Sequence, residues 1–448
     1  NGNVTQGSFG PFARPDGEWG VDLTPSGGFL RATGAGDISG DFTIETWVFM
    51  NSDDGNYIHL TYNSGGLVNV FNVYNGSVQN FLFGTSSTAG QTTLEFNDTT
   101  WDAGVWTHLA MVRSSGTLKI YVNGVADATT STAVSGNLTD LEYIGTGRGF
   151  TDTPNSRLFD GIVSNVRFSS TARYTSNFTP STAYFTSDSD TNLLTCQSNR
   201  FVDNSSNGHT ITPSGTAAVT AFGPFLTSSV YSAGTNGASG YFDGSGDSLS
   251  TASSADFALG TGDFTVAFWV YQKEVKDYTI YFDYRTSNGY AALYLYQAAN
   301  GALDLYISST SHTFTPPSLL NRWAYIAISR SSSTTKLFVD GVQYLSFSDS
   351  TNYVQGSTFY VGRFWQSDTH NFNGYMCDFR WVKGTAVYTS AFTPPTAPLT
   401  AITNTKLLLN MADGQAIDSA AQNNLTLVGT AKTSTAQKKF GDASILFD

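Results

Sequence analysis

The most regular hydrophobic pattern in the chain is a ten-residue segment that occurs twice, as GDFTIETWVF at residues 40–49 and as GDFTVAFWVY at residues 262–271. From Phe268 onward the second copy is apolar at successive positions, whereas a strand with one solvated face would alternate apolar and polar residues. The pattern therefore predicts a central β-strand covered on both faces. The copies differ most at Glu45 and Ala267, so the carboxylate of Glu45 must be paired or must reach the rim of the sheet.

Shorter alternating segments end in turn dipeptides, as in LKIYVNG at residues 118–124 and KLFVDG at residues 336–341. Asn-Gly and Asp-Gly favour the type I′ turns of β-hairpins. Helical periodicity is weak, and only residues 170–177 and 385–391 could hold a turn or two of helix. Many short strands with regular turn signals predict an all-β fold of tandem antiparallel jelly-roll β-sandwiches.

Further segments recur in the same order about 213 to 222 residues later, which indicates an internal repeat. The matching pairs are Gly10-Pro11-Phe12 with Gly223-Pro224-Phe225, Trp106 with Trp323, Arg113 with Arg330, Asn123-Gly124 with Asp340-Gly341, and residues 174–180 with 388–394.

The phase of the repeat predicts the domain boundaries, because residues 192–203 recur near the end of the chain as residues 406–418. We expect one sandwich at residues 1–190 that lacks its opening strand, and a second at residues 191–403. Residues 404–448 would be the opening strands of a third module or a C-terminal strand addition. The chain is thus expected to be a window on a longer array.

Composition excludes several function classes. With 22 basic and 35 acidic residues the net charge is −13, which would repel a phosphate backbone, so nucleic acid is not an expected partner. No apolar run approaches the roughly 18 residues that cross a bilayer, so no membrane insertion is expected. Two cysteines, Cys196 and Cys377, are too few for a disulfide framework and are predicted to be buried free thiols.

Six segments of the second copy, taken in order, resemble the laminin-G-like branch of the concanavalin A-like lectin/glucanase superfamily. They are FDGSGDSL at residues 242–249, GDFTVAFWVY, RWAYIAISR at 322–330, KLFVDG, YVGR at 360–363 and residues 372–395. The ending of the repeat, an aromatic residue followed by Thr-Ser-x-Phe-Thr-Pro, is similar to tandem modules in large structural proteins of bacteriophages. The resemblance covers essentially the whole chain. It implies a concanavalin A-like fold, and its members include carbohydrate binders, adhesion modules and structural spacers.

Glucanases of that superfamily carry a catalytic Glu-x-Asp-x-x-Glu strand, in which two carboxylates flank the scissile bond. The five Glu residues of this chain form no such triplet, and its five His residues occur at no metal-ligand spacing. We therefore expect a protein that is not an enzyme, with no catalytic residues.

Calcium is the candidate cofactor, since laminin-G-like modules often bind it at a loop rim. Asp243 and Asp247 lie four residues apart in a Gly-rich loop and are the candidate metal ligands. The alternative is that each Asp caps its own turn.

The candidate carbohydrate-binding residues come from loops that differ between the copies, because positions shared by both copies most simply determine the fold. Residues 363–373 contain aromatic rings beside Asp and Asn, the combination that sugar recognition needs. The candidates are Phe364, Trp365, His370, Phe372 and, in the first copy, Phe150. The alternative is that these loop aromatics pack against the neighbouring copy. A second aromatic set, forming either core or a binding platform, comprises Tyr281, Tyr284, Tyr290, Tyr294 and Tyr296.

These observations predict a non-enzymatic structural or adhesion protein with tandem lectin-like modules, on a bacteriophage particle or another surface appendage and therefore on a virion surface or outside the cell. Its partners would be glycans or neighbouring virion or surface proteins, and it could form a homo-oligomer. One alternative is a purely structural spacer without glycan binding. Another is a secreted glycan-processing enzyme.

Overall fold

The computed structural model describes residues 4–24, 27–35, 38–51, 70–71, 79–83, 92–96, 103–127, 142–148, 154–225, 232–287, 291–354, 356, 358–367, 369–411, 432–434 and 444–446. The chain divides into two compact units. The first module comprises Pro15–Thr227, and the second module comprises Ser228–Asp448 together with Asn1–Arg14.

Short strands dominate the described residues. Those up to residue 227 are β1 Thr5–Gly7, β2 Gly20–Asp22, β3 Phe29–Thr33, β4 Phe42–Met50, β5 Val70–Phe71, β6 Gln79–Phe83, β7 Thr92–Phe96, β8 Trp106–Ser114, β9 Thr117–Val122, β10 Val125–Ala126, β11 Tyr143–Ile144, β12 Thr146–Arg148, β13 Pro154–Leu158, β14 Gly161–Ser169, β15 Thr191–Thr195, β16 Thr210–Ser214 and β17 Ala218–Thr220. The remainder are β18 Ser239–Asp243, β19 Leu249–Thr251, β20 Phe264–Gln272, β21 Thr279–Asp283, β22 Leu293–Gln297, β23 Leu303–Ile307, β24 Thr310–Phe314, β25 Trp323–Ser331, β26 Thr334–Val339, β27 Val342–Ser348, β28 Phe359–Val361, β29 Asn373–Lys383, β30 Thr405–Leu409, β31 Lys432–Ser434 and β32 Ser444–Leu446.

Each module contains one eight-stranded antiparallel sheet, and the two sheets have the same topology. The order is β17-β2-β14-β4-β8-β9-β10 in the first module and β1-β18-β29-β20-β25-β26-β27 in the second. In addition, β15 pairs with β14 in the first sheet and β30 pairs with β29 in the second. The two segments that opened the sequence analysis are β4 and β20, each in the interior of its sheet, which confirms the predicted central strand.

A six-stranded sheet of order β19-β28-β21-β22-β23-β24 forms the other half of the second module. Apolar side chains of both sheets meet in one core, where Val266 and Phe268 of β20 pack with Phe282 of β21 and Leu295 of β22. The first module adds to its large sheet the smaller sheets β11-β3-β16, β12-β13 and β5-β6-β7. The all-β class and the antiparallel sheets expected from the sequence are confirmed.

The module boundaries differ from those predicted at residues 190 and 403. β15, β16 and β17 complete the first module by pairing with β14, β3 and β2 respectively. At the other end of the chain, β1 pairs with β18 and therefore belongs to the second module. The phase of the repeat shows which segments are equivalent in sequence. Strand pairing decides which module each segment joins. Of residues 404–448, β30 extends the large sheet of the second module, and β31 pairs with β32.

Both predicted hairpins are present. Asn123 and Gly124 have φ values of 48° and 79°, and Asp340 and Gly341 have values of 51° and 80°, as a type I′ turn requires. Residues 170–177 and 385–391 contain no helix. The described helical residues are one α-helical turn at Ala233–Asn236 and a 3₁₀ turn at Ala255–Phe257. Cys196 and Cys377 are buried free thiols, as predicted.

Glu45 lies fully buried in β4, and its carboxylate is paired, in agreement with one of the two expectations. Its Oε1 accepts hydrogen bonds from Nε and Nη2 of Arg167 at 2.9 and 2.6 Å, and its Oε2 accepts one from the Tyr174 hydroxyl at 2.8 Å. His108 Nε2 lies 3.3 Å from the same Oε2. This cluster fastens the segment around Tyr174 onto the sheet.

At the equivalent place in the second module, Ala267 of β20 faces the segment around Tyr388. There the Tyr388 hydroxyl meets that of Tyr325 at 2.9 Å, and Arg380 Nη2 donates to Tyr388 at 3.4 Å. The two modules thus fasten the same covering segment differently, one through a buried carboxylate and the other through a pair of hydroxyls.

Candidate functional site: an aromatic cleft on the second module

Side chains of β21 to β24 alternate between the two faces of the six-stranded sheet of the second module. In β22, Leu293 and Leu295 point into the core, whereas Tyr294 and Tyr296 lie on the opposite face. Tyr306 of β23 stands directly across from Tyr294 in the strand register. Period-two alternation therefore gathers three tyrosines on the face turned away from the core.

These tyrosines form the floor of a cleft of about 570 Å³, and loop residues form its walls. The lining residues are Asp277, Tyr278, Ile280, Tyr294, Tyr296, Tyr306, Ser311, Phe364, His370. The volume lies within the range of small-molecule binding sites.

The aromatic rings of the cleft form a continuous row. Tyr278 stacks on Tyr296 with ring centroids 5.1 Å apart and an interplanar angle of 23°, and Tyr296 stacks on Tyr294 at 5.3 Å and 15°. Tyr306 follows at 5.1 Å from Tyr294. Tyr278 is 46% exposed, so one end of the row is open to solvent. His370 bridges the walls, with its ring 5.6 Å from both Tyr278 and Phe364.

A polar cluster borders the aromatic row at Asp304. Its Oδ2 accepts hydrogen bonds from the hydroxyls of Tyr296, Ser311 and Thr313 at 3.2, 2.7 and 2.9 Å. Burial, reinforced by the charge of Asp304, raises the pKa of Tyr296 to about 12, so its hydroxyl stays protonated at neutral pH. The cleft therefore combines ring faces with fixed hydroxyl groups.

A buried ion pair supports the floor and one wall. Arg285 Nη2 donates to Asp283 Oδ2 at 2.9 Å, and the Arg285 Cζ lies 3.2 Å from the ring centroid of Tyr294. The same Asp283 oxygen accepts the backbone N–H of Trp365 at 3.3 Å. Because the guanidinium is 1% exposed, its charge is enclosed between Asp283 and Tyr294, and the pair holds the loop that carries Phe364.

The structure brings together only part of the carbohydrate-binding set expected from the sequence. Phe364 and His370 line the cleft, and Trp365 is the half-buried residue next to Phe364. Phe372 has no exposed surface and packs in the core against Phe242 and Tyr281, so it presents no face to a ligand. Phe150 lies outside the described residues.

The second aromatic set predicted from the sequence, five tyrosines, also divides between the cleft and the core. Tyr294 and Tyr296 form the floor of the cleft, whereas Tyr281 and Tyr284 belong to the core, and Tyr290 lies outside the described residues. Sequence reasoning missed Tyr278 and Tyr306. The alternation in LDLYI at residues 303–307 could have placed Tyr306 opposite the core, but no local signal marks Tyr278, which reaches the cleft from a loop.

Asp243 and Asp247, the predicted calcium ligands, use carboxylate oxygens within their own loop. Asp247 Oδ2 accepts the backbone N–H of Asp243 at 3.0 Å, and Asp243 Oδ1 accepts that of Ser245 at 2.7 Å. Asp247 is also 2% exposed. Calcium takes six to eight oxygen ligands, so this pair fits the ion poorly and fits turn capping well. Calcium binding here stays a prediction.

In the described part of the chain, no group of three or more His, Cys, Asp or Glu side chains is placed to hold a metal ion. A search of the same residues finds no helix long and apolar enough to cross a membrane. In the first module the corresponding region includes β5, β6 and β7. The side chains of these strands are not among those that the structure describes, so the cleft is given for the second module alone.

Comparison with known families gives one decisive match. A laminin-G family model, of the concanavalin A-like lectin/glucanases superfamily, matches residues 26–177 and 243–389. The chain belongs to this superfamily. The two matched stretches fall one in each module, so each module of the chain is a laminin-G-type domain.

Among solved structures, the chain is similar to a putative carbohydrate-binding protein from Bacteroides ovatus, with 12% identity, a TM-score of 0.33 and 88% of each chain covered. It is also similar to the LG4-5 domains of the mouse laminin alpha1 chain, with 12% identity, a TM-score of 0.29, and 86% of this chain and 94% of that one covered. A search of curated proteins returned no match. The family assignment rests on the two matched stretches.

Proposed function

We propose that the second module of this laminin-G-type protein binds a neutral glycan in its aromatic cleft. The observation that carries the proposal is the row of Tyr278, Tyr296 and Tyr294 beside the hydroxyl cluster at Asp304. Sugar rings present apolar C–H faces that pack on aromatic rings, and their hydroxyls need fixed hydrogen-bonding partners. The cleft supplies both.

The charges around the cleft favour a neutral glycan over an acidic one. Among the described lining residues none is Lys or Arg, and Asp277 adds a carboxylate. The guanidinium of Arg285, which lies against the floor residue Tyr294, is enclosed by Asp283 and Tyr294. The chain also carries a net charge of −13, which opposes the approach of a polyanion.

Binding without catalysis is the activity we infer for this cleft. A glycosidase needs two carboxyl groups on either side of the scissile bond, and the described lining includes one, Asp277.

We further propose that the protein serves adhesion or assembly at a surface outside the cell, such as a bacteriophage particle. Tandem weak sites on one chain would raise avidity by about 10²- to 10⁴-fold over a single site.

The test uses calorimetric titration with gluco-, galacto- and arabino-oligosaccharides, and with sialyllactose as the acidic probe. We expect at least one neutral probe to bind and Tyr278→Ala to weaken its binding about tenfold, since one aromatic contact contributes up to about 1.5 kcal/mol. Tyr184→Ala is the matched control, because Tyr184 is a comparably exposed tyrosine of the first module, at 41%.

Neutral-glycan binding that is unchanged in both Tyr278→Ala and Tyr296→Ala would place the site elsewhere. Preference for sialyllactose would contradict the neutral class. Repeating the titration with calcium present tests the Asp243 and Asp247 loop in the same experiment.

A further inference from the structure

The polar cluster that borders the aromatic cleft has a fixed direction of hydrogen bonding. Asp304 of β23 is 5% exposed and lies directly across the sheet from Tyr296 of β22 and Thr313 of β24. Ser311 of β24 lies opposite Tyr306 of β23. Side chains two residues apart share one face of a strand, so the register gathers the hydroxyls of Tyr296, Ser311 and Thr313 around one carboxylate.

All three hydroxyls donate to the same oxygen of Asp304. The distances to its Oδ2 are 3.2 Å from Tyr296, 2.7 Å from Ser311 and 2.9 Å from Thr313. The other oxygen, Oδ1, is buried and meets no hydrogen-bond donor in the part of the chain that the structure describes. An ionised carboxyl group only accepts hydrogen bonds, so three donors at one oxygen identify Asp304 as the ionised acceptor of the cluster.

The protons of these hydroxyls are therefore committed to Asp304. A hydroxyl group has one donor and two acceptor sites, so the oxygens of Tyr296 and Ser311 keep only acceptor sites for any further partner. Both residues line the cleft. Toward the cleft, the two hydroxyls present hydrogen-bond acceptors and no donors.

Turning one of these protons toward a ligand would cost free energy. Hydrogen bonds to an ionised group are about twice as strong as those between neutral groups. A buried carboxylate that loses a donor is left with its charge poorly satisfied, and Oδ1 of Asp304 already has no donor among the described residues. The acceptor character of this border is thus set by Asp304 before any ligand arrives.

We propose that Asp304 determines which neutral glycans the cleft accepts: it fixes Tyr296 and Ser311 as hydrogen-bond acceptors, so the cleft selects glycans with free hydroxyl groups over their O-methylated forms. The inference rests on the proposed function, since it concerns the same cleft. A free sugar hydroxyl donates to these oxygens, whereas an O-methylated one has no proton and leaves them unpaired. A site built to hydrogen-bond a substrate hydroxyl rejects an analogue that lacks it. Asp304 is a positioning residue, because it acts through Tyr296 and Ser311.

The experiment is calorimetric titration of the full chain with gluco-, galacto- and arabino-oligosaccharides, each in free and in fully O-methylated form. We expect the wild-type protein to bind at least one free oligosaccharide about tenfold or more tightly than its methylated form, as the loss of one or two hydrogen bonds predicts.

Two variants at exposed positions of β24 separate this hydrogen bonding from the added bulk of the methyl groups. Ser311→Ala removes an acceptor from the cleft, so it should weaken binding of the free oligosaccharide about two- to tenfold and leave that of the methylated form unchanged. Thr313→Val is the matched control. Its hydroxyl also donates to Asp304, but Thr313 is not among the described lining residues, so both affinities should stay at the wild-type values.

Asp304→Ala tests the positioning role itself. Without the carboxylate, the hydroxyls of Tyr296 and Ser311 can donate to ether oxygens, so the preference for the free over the methylated form should fall severalfold. Thermal denaturation shows whether this variant folds, and Ser311→Ala decides the question if it does not. A merely structural role of Asp304 would weaken both forms alike and leave their affinity ratio unchanged.

Three results would overturn the proposal. Equal affinity of the wild-type protein for both forms, with binding still weakened by Tyr278→Ala, would remove the role of Asp304 and leave the glycan cleft in place. An equal loss for both forms in Ser311→Ala, or an unchanged ratio in folded Asp304→Ala, would do the same. Failure of every free oligosaccharide to bind would contradict the proposed function and this inference with it.

Discussion

Asn165 in the first module and Asp378 in the second lie at equivalent bulges of the large sheet. Their side chains differ only in that the amide nitrogen of Asn165 is replaced by a carboxyl oxygen in Asp378. They lie in β14 and β29 with φ values of 52° and 51°, where the strand register shifts. Asn165 Oδ1 accepts the backbone N–H of Phe185 at 2.8 Å, and Asp378 Oδ2 accepts that of Leu399 at 3.1 Å. The side chain has the same role in both modules, but only in the second module is the group at this bulge a carboxyl group.

Replacing Asp378 by the residue found at its equivalent, Asp378→Asn, should stabilise the second module at neutral pH. Burial raises the pKa of Asp378 from its usual 3.8 to about 6. Its folded pKa therefore exceeds its unfolded pKa, so the stability that Asp378 contributes is fully present below about pH 4 and is lost as the pH rises through about 6. Complete loss amounts to about 2 to 3 kcal/mol, and the variant should be free of this pH dependence.

Thermal denaturation of wild type and Asp378→Asn between pH 4 and pH 8 measures this effect. The difference in melting temperature should grow in favour of the variant as the pH rises. A difference that is constant with pH would show that Asp378 does not titrate with a raised pKa.

At the scale of elements, each type I′ hairpin also serves as a docking point for the covering segment of its module. The backbone N–H of Phe178 donates to the Gly124 carbonyl at 2.9 Å, and that of Phe392 donates to the Gly341 carbonyl at 3.1 Å. A Cβ at Gly341 would overlap the Phe392 carbonyl oxygen. Glycine is therefore required at this position for two reasons, its positive φ and the close approach of the covering segment.

Gly341→Ala and Gly301→Ala separate these two requirements. Both glycines have φ near +80°, but a Cβ at Gly301 meets nothing within 4 Å. Gly301→Ala should cost about 1 to 2 kcal/mol through backbone strain alone. Gly341→Ala should cost a further 1 to 3 kcal/mol, because the covering segment must move. Chemical denaturation measures both, and equal losses would contradict a docking role for this turn.

At the scale of the whole molecule, the chain contains two modules of one fold, each with its own large sheet and its own buried apolar residues. Units with separate cores can unfold separately. We therefore expect two calorimetric transitions, and variants confined to one module identify them.

Glu45→Gln is the variant for the first module. Removing the charge leaves the Arg167 guanidinium without its partner in a buried site, which costs about 3 to 5 kcal/mol. One transition should move to lower temperature while the other stays in place. The transition that stays should be the one shifted by Gly341→Ala. A shift of both transitions by Glu45→Gln would show that the modules unfold as one unit.

Much of the fold could be predicted from the sequence because the signals are local. Alternation around Asn123-Gly124 and Asp340-Gly341 predicts the hairpins, and the two-sided apolar pattern of β20 predicts a central strand. The site was only partly predictable. Phe364 and His370 stand out as loop aromatics, but Phe372, two residues beyond His370, points into the core. A loop has no fixed period from which the direction of a side chain can be read.

The sequence by itself determined the all-β class, the repeat, the turn types and the superfamily, because each depends on the order of residues within short segments. Tertiary structure alone decided which segments complete which module, which tyrosines meet in one cleft and how the buried Glu45 is paired. These depend on pairing between strands that are far apart in sequence. Residues 9–12 and 222–225 share the sequence Phe-Gly-Pro-Phe, yet the preceding strands β1 and β17 pair with β18 and β2 respectively, so strand pairing decides the module of each.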